Sequence, residues 1–381
     1  MTKTGLLLSS THPPLPPTPE DAFHRLRLLR SRRVGIATFR RLLAEHGTAQ
    51  NALQALPDVA RTAGVKDYAP CPVAAIEAEL KAGSAAGAFL LSDTDPAYPA
   101  ALREIEDAPP FLWARGRAEL LAQPALALVG ARNASSVGTR MAQGLARGLG
   151  DHGFVIASGL ARGIDAAAHA AAIQTGTIAV LAGGVDVLYP AENAVLGDKI
   201  AEHGLILSEA PMGLQPMARH FPARNRIISG LSQATIVVEA AAKSGSLITA
   251  RGALDQGREV LAVPGNPFDA RAAGCNMLIR DGATLVRNSA DVLEALDPIA
   301  PPAPQLPLGH PDAPSTSARP LRDVAALHGE ILGRLGPTPV AEDQLIRDLG
   351  RAAGEVGTAL TELELEGRID RQPGGLLSRA V

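Results

Sequence analysis

From Pro124 onward, short apolar runs alternate with stretches of small residues at helical spacing, and this alternation restricts the possible folds more than any other feature of the chain. Ala125–Val129, Phe154–Ala157, Ile178–Leu181, Leu205–Leu207, Thr235–Val238, Glu259–Val263 and Thr284–Val286 read as strands. They are apolar over most of their length, as strands covered on both faces must be. Ser136–Leu149, Gly163–Gln174, Ser246–Gln256 and Ala290–Leu296 read as helices between them. Helices interposed between strands imply crossovers, hence an α/β, mostly parallel sheet with helices on both faces. Such sheets bind ligands beyond the carboxyl ends of their strands.

The flanking segments differ in texture. Residues 1–18 carry prolines at 13, 14, 16 and 17 and read as a disordered lead-in. Residues 19–84 read as a helical domain: Phe23, Leu26 and Leu29, then Phe39, Leu42 and Leu43, recur at three- and four-residue spacing. Val34–Thr38 between these runs suggests a helix–hairpin–helix turn, giving a SAM- or HhH-like unit. Between Ala22 and Ala44 lie Arg25, Arg27, Arg30, Arg32, Arg33, Arg40 and Arg41 without an acidic residue, either as a solvated face or as phosphate contacts. Residues 84–122, with Pro109, Pro110 and Trp113, read as a mixed connector into the domain that runs from 85 to 296. Residues 297–320 hold eight prolines and read as a linker. Residues 321–381 read as three helices and a hairpin turning at Pro373-Gly374-Gly375, a C-terminal winged helix.

Composition closes several routes. The net charge of −3 excludes a histone-like polycation, so any nucleic-acid role must come from a local patch. Cys71 and Cys275 are too few for a disulfide framework or a cysteine zinc site, and no metal is expected. No apolar run approaches the roughly 20 residues of a membrane span. Leu6–Leu8 before Pro13 make no signal peptide, so the expected compartment is the cytoplasm.

The loops at the strand ends carry the chemistry. Gly130, Ala131 and Arg132 follow the first parallel strand and lead to a helix near Ser135, a glycine turn that offers amides and a guanidinium to an anion. Arg132 stands where a dinucleotide fingerprint has its second glycine, and the next strand ends in Ser158-Gly159 without an acidic residue, which disfavours NAD. No phosphate-binding loop of the ATPase type is present either, and no cofactor is expected. Arg162 sits in a second glycine-flanked loop that runs to Asp165 and His169; these two could serve the site, or simply cap and pack their helix. Arg219, Arg224 and Arg226 crowd around Phe221 and Asn225 in what reads as a polar loop. Phe221 would offer a base-stacking plane, and the arginines would offer phosphate contacts. The alternative is a core Phe221 with arginines paired to Glu209 and Glu239. Lys243, Ser244 and Gly245 then add positive potential ahead of a helix at Ser246.

These loops resemble the DNA-processing protein A (DprA, or Smf) family. The matching runs are Val129–Arg132, Ser158–Asp165, Phe221–Ile228, Lys243–Ser246, Val263–Gly265 and Asn276–Ile279, over about residues 85–296. Ala131 and Cys275 stand where serine and threonine are expected. The resemblance implies an extended Rossmann domain that binds single-stranded DNA, protects it during natural transformation and helps load the RecA recombinase. It also implies a homodimer and no enzymatic activity. The implied pocket comprises Arg132, Ser158, Gly159, Arg162, the Phe221–Arg226 segment and Lys243–Gly245.

Residues 321–381 hold seven basic and ten acidic groups, with Glu355, Glu362, Glu364 and Glu366 on the recognition helix. Phosphate repulsion disfavours duplex readout there and favours a protein-contact or autoregulatory role. The rival reading for the central domain is a nucleotide hydrolase using Asp186, Glu209 or Glu239 as acid or base. A third is a scaffold recruiting proteins through its end domains.

Overall fold

The computed structural model describes residues 19–296, 321–336, 338–372 and 375–380. The expected lead-in, the proline-rich linker, and Pro373 and Gly374 of the expected hairpin turn lie outside them. The chain divides after residue 298 into two compact units.

The first unit is built on nine strands: β1 (Phe89–Ser92), β2 (Phe111–Gly116), β3 (Ala125–Val129), β4 (Val155–Ser158), β5 (Thr177–Val180), β6 (Leu205–Ser208), β7 (Ala234–Val237), β8 (Glu259–Ala262) and β9 (Thr284–Leu285). They lie in the order β1-β2-β6-β5-β4-β3-β7-β8-β9. The seven from β3 to β9 are parallel, and each matches an expected strand to within about two residues at its ends.

Strand β3 shows why a continuous apolar run forms here. Ala125, Ala127 and Val129 face a core shared with Ile227, Ile228, Leu247 and Ala250. Leu126 and Leu128 face the opposite core, with Ala142, Leu145, Leu149 and Ile164. Alternate side chains therefore bury against different helices, each large one contributing about 1.5–3 kcal/mol.

The segment read as a connector does more than connect. β1 and β2 pair with each other and extend the sheet antiparallel along β6. Pro109 and Pro110 break the apolar pattern just before β2, and that hides the strand from periodicity alone.

Helices Pro19–Leu29, Ile36–His46, Ala49–Thr62 and Val73–Ala85 make up the N-terminal part, around Leu28, Phe39, Leu42, Leu53 and Leu56. Its arginines divide: Arg25, Arg30 and Arg40 fasten this part to the sheet domain, which neither sequence reading foresaw, while Arg32, Arg33 and Arg41 are exposed. Arg25 binds Asp93 at 2.6 Å, and Arg30 binds Glu79 at 2.9 Å and the Glu209 carbonyl at 3.3 Å. Arg27 donates to the Cys71 carbonyl, and Arg40 to the carbonyl of Ala108.

The second unit has helices Leu321–Arg334, Glu342–Leu349 and Ala353–Leu365, with strands β10 (Val340–Ala341), β11 (Ile369–Gln372) and β12 (Leu376–Arg379) in the order β10-β12-β11. Ile331, Leu345, Val356, Leu360, Leu363 and Leu377 form its core, a winged-helix arrangement. The acidic groups of its third helix face internal partners: Glu362 faces His328 at 3.1 Å, Glu364 faces Arg371 at 3.3 Å, and Glu355 faces Arg351 at 3.7 Å. Among the described residues no helix is long and apolar enough to cross a membrane.

Candidate functional site

Strand β3 is the first of the parallel set, and the chain winds from it first to β4 and later, on its other side, to β7. The loops after β3 and β7 therefore part at a topological switch point, where doubly wound sheets open a crevice. An open trough of about 550 Å³ lies there, lined by Gly130, Arg132, Phe221, Arg224, Asn225, Lys243, Ser244 and Gly245 among others. Eight of the thirteen residues expected from sequence thus meet in one depression.

The floor is held by backbone and by one carboxylate. Ala131 N donates to the Glu239 carbonyl at 2.6 Å, joining the two loops. The Glu239 side chain accepts from Ser135 N at 3.1 Å and from Ser135 Oγ at 2.8 Å, while Ser135 Oγ accepts from Gly138 N. Of the amides at the start of the helix opening at Ser136, those of Ser135 and Gly138 are already engaged. Glu239 is therefore a structural brace. The turn over Lys243–Gly245 leads into the helix Ser246–Asp255; its Ser244 N donates to the Ala241 carbonyl at 2.9 Å, and the Lys243 side chain is exposed.

Phe221 does not sit in a loop. Its segment opens a helix, His220–Leu231, with Pro222 in the first turn, where a missing N–H costs nothing. The ring is half-buried; the Arg132 guanidinium lies 5.2 Å from its centroid, and the Tyr189 ring lies 5.9 Å away. Among the described residues, neither Arg132 nor Lys243 has an ion-pair partner.

Arg224 lies beneath this surface, fully buried, donating to the Gly159 carbonyl at 2.7 Å and to the Val180 carbonyl. Burial lowers its pKa to about 10, so it stays charged at neutral pH. Asp165 accepts from Gly159 N at 3.1 Å and Ala161 N at 3.4 Å; burial raises its carboxyl, opposed by Arg224 and these amides. His169 accepts from Leu160 N and bonds Thr177 Oγ1 at 2.7 Å, and burial holds its pKa down to about 3. Three buried polar groups thus shape the loop after β4, and the packing reading of Asp165 and His169 is the one the contacts describe.

The remaining expected residues stand elsewhere. Ser158 donates to the Leu128 carbonyl at 2.6 Å and is buried. Gly159 lies against Arg224, too close for a Cβ. Arg162 pairs with Glu192 at 3.2 Å beside an adjoining hollow of about 380 Å³ that also contains Tyr189. Arg219 precedes the helix, exposed and outside both depressions. Arg226 turns away, to Asp107 at 3.0 Å and to Glu209, so its positive charge is internally balanced. Asp186 accepts from Gly213 N. All three carboxylates of the hydrolase reading are thereby engaged in holding structure.

Sequence reasoning missed Asn133, Tyr189, Ile248, Thr249 and Arg271, which line these depressions. Arg271, paired with Asp269 at 2.9 Å, could have been found by extending the search for cations to the loop after β8.

Comparisons agree with this architecture. The family described as DNA recombination-mediator protein A matches residues 89–297; a DprA-like N-terminal HHH domain matches 19–82, and a DprA winged helix domain matches 314–375. Protein Smf of Escherichia coli K12 is 41% identical over 284 residues, 73% of this chain and 74% of that protein. The crystal structure of DNA processing protein A from Streptococcus pneumoniae superposes with a TM-score of 0.61 at 38% identity, covering 71% of this chain and 97% of that one. The Helicobacter pylori protein of the same name, whose structure is described for its single-stranded DNA binding mode, gives 0.51 at 31% identity over 55% of this chain and 95% of that one.

Proposed function

The chain belongs to the DNA recombination-mediator protein A (DprA/Smf) family, and on that premise we propose that it binds single-stranded DNA in the trough at the switch point. The observation that carries this reading is the pairing of an uncompensated guanidinium with an aromatic face, Arg132 on Phe221, opposite the uncompensated ammonium of Lys243. Phosphates find cations there and bases find a ring, the two ingredients of sequence-tolerant single-strand binding. The Helicobacter pylori relative, described as a single-strand binder, supports the same assignment.

In this reading the protein shields incoming DNA and passes it to a RecA-type recombinase, in keeping with the mediator role in the family's description. It acts as a homodimer, in the cytoplasm, where free cysteines such as Cys71 and Cys275 are at home. It performs no catalysis of its own; the engagement of Asp186, Glu209 and Glu239 in structural bonds supports this. Its functional division runs as a helical part at 19–84, a DNA-binding domain at 85–296 and a winged helix at 321–381.

The test is a mobility shift with single-stranded and duplex oligonucleotides over a salt series, comparing wild type with Arg132→Ala and Lys243→Ala. Preferential, salt-sensitive binding of the single strand that both substitutions weaken is expected; unchanged affinity in both variants would overturn the reading.

A further inference from the structure

The chain has one tryptophan, three tyrosines and seven phenylalanines, all within the described residues, and two of these rings are exposed: Tyr189 at 50% and Phe268 at 98%. Tyr189 flanks Phe221. Phe268 stands on the loop after β8, three residues before the trough-lining Arg271 and so at most about 11 Å of chain from it.

A ring this exposed would ordinarily sit on a floppy segment. This loop is braced at several points. Asn276 exchanges two hydrogen bonds with Gly265, at 3.1 and 3.0 Å. The Asn266 side chain accepts from Phe268 N at 3.0 Å, and its carbonyl accepts from Asp269 N at 2.9 Å. Gly274 N donates to the Ala240 carbonyl at 2.7 Å, and a Cβ at Gly274 would run into the carbonyls of Ala240 and Ala241. The loop is thereby fastened to the turn that carries Lys243. Asp269, the one acid beside Phe268, is folded back onto Arg271 by two side-chain bonds. A preorganised loop that holds an apolar ring in water forgoes the gain of burying it, which a ligand arriving at the ring can recover.

We propose that Phe268 is a second nucleobase platform, on which single-stranded nucleic acid leaving the trough past Arg271 stacks a further base. The inference rests on the single-strand reading of the trough. It adds a path across the strand ends, from Tyr189 and Phe221, over Arg132 and Lys243, to Arg271 and Phe268. Arg271 is paired with Asp269 and Glu239, so the unpaired charge on this path is that of Arg132 and Lys243; an aromatic at each end and those two cations between them suit a polymer of bases and phosphates, whose π-faces stack without regard to sequence.

The experiment compares full-length wild type, Phe221→Ala, Phe268→Ala, Phe268→Leu and Phe268→Trp with thymidine oligonucleotides of about 4 and about 16 nucleotides, the range of single-strand site sizes. Phe268→Ala and Phe268→Leu should weaken the long oligonucleotide roughly 5- to 150-fold and leave the short one unchanged; Phe268→Trp should bind both as wild type does. Phe221→Ala should weaken both. With 5-iodouracil placed along the long oligonucleotide, photocrosslinks should map to the peptide containing Phe268. Wild-type affinity of Phe268→Ala for the long oligonucleotide would overturn the platform and leave the trough standing, as would a change confined to self-association on sedimentation. Failure of wild type to bind either oligonucleotide would overturn both.

Discussion

The guanidinium carbon of Arg132, at the end of β3, lies 5.2 Å from the centroid of the Phe221 ring, at the start of the helix His220–Leu231. One face of the ring is thereby held by a cation, and the pair presents charge and aromatic surface together. Removing the ring should cost the stack of one base. Phe221→Ala is expected to weaken single-strand affinity by about 1–3 kcal/mol, measured by fluorescence anisotropy. The double substitution with Arg132→Ala should lose less than the sum of the two single losses, because the residues act as a unit.

Lys243 and Arg226 separate free charge from paired charge. Lys243→Ala should reduce the slope of log affinity against log salt by about 0.7, one phosphate contact on a single strand. Arg226→Ala should leave that slope unchanged. It should instead lower thermal stability by about 1–3 kcal/mol, since Glu209 and Asp107 lose their shared partner. Equal slope changes in both variants, from titrations at several salt concentrations, would refute the distinction.

Gly163 joins the two loops that meet beneath the trough. Its φ is 76°, and a Cβ there would press on the carbonyl oxygens of Ala131 and Arg132. Gly163→Ala is expected to destabilise the domain by about 1–3 kcal/mol from strain alone, and to displace Arg132. Chemical denaturation and single-strand binding should both suffer; a variant of native stability would show that the loop accommodates a side chain.

His169 should make stability depend on acid. Its folded pKa of about 3 lies below the unfolded value of about 6.5. Between those values the unfolded chain holds a proton that the folded chain lacks, so stability is complete above about pH 6.5 and falls as the pH drops toward 3, by up to about 1.4 kcal/mol per unit. His169→Gln removes this contribution. The Tm gap between wild type and variant should therefore narrow from about pH 7.5 to about pH 5; a gap independent of pH would mean that His169 is not held neutral by burial.

The parallel strands, the helices between them and the trough's glycine-rich loops were legible in the sequence because each is written in a local pattern: period, turn residue, length of apolar run. β3 was read with the bounds it has in the structure. β1 and β2 were not, because they stand outside the strand–helix alternation that begins at Pro124, and Pro109 and Pro110 interrupt the pattern just before β2. The helix at His220 was missed because its first turn holds Pro222 and three arginines crowd the segment, which gives it the texture of a polar loop.

What a charge is for was settled only by tertiary structure. Arg132, Arg224 and Arg226 look alike in the sequence, yet one lies on a ring at the rim, one is buried against two carbonyls, and one is neutralised by Glu209 and Asp107. Arg25 finds Asp93 across 68 positions. Periodicity acts over a few residues, and so the succession of strands and helices along the chain follows from sequence neighbours, while their order in the sheet does not. The partner of a guanidinium is chosen by the folded backbone, which brings distant carboxylates and carbonyls within hydrogen-bonding reach of some arginines and leaves Arg132 and Lys243 open to solvent.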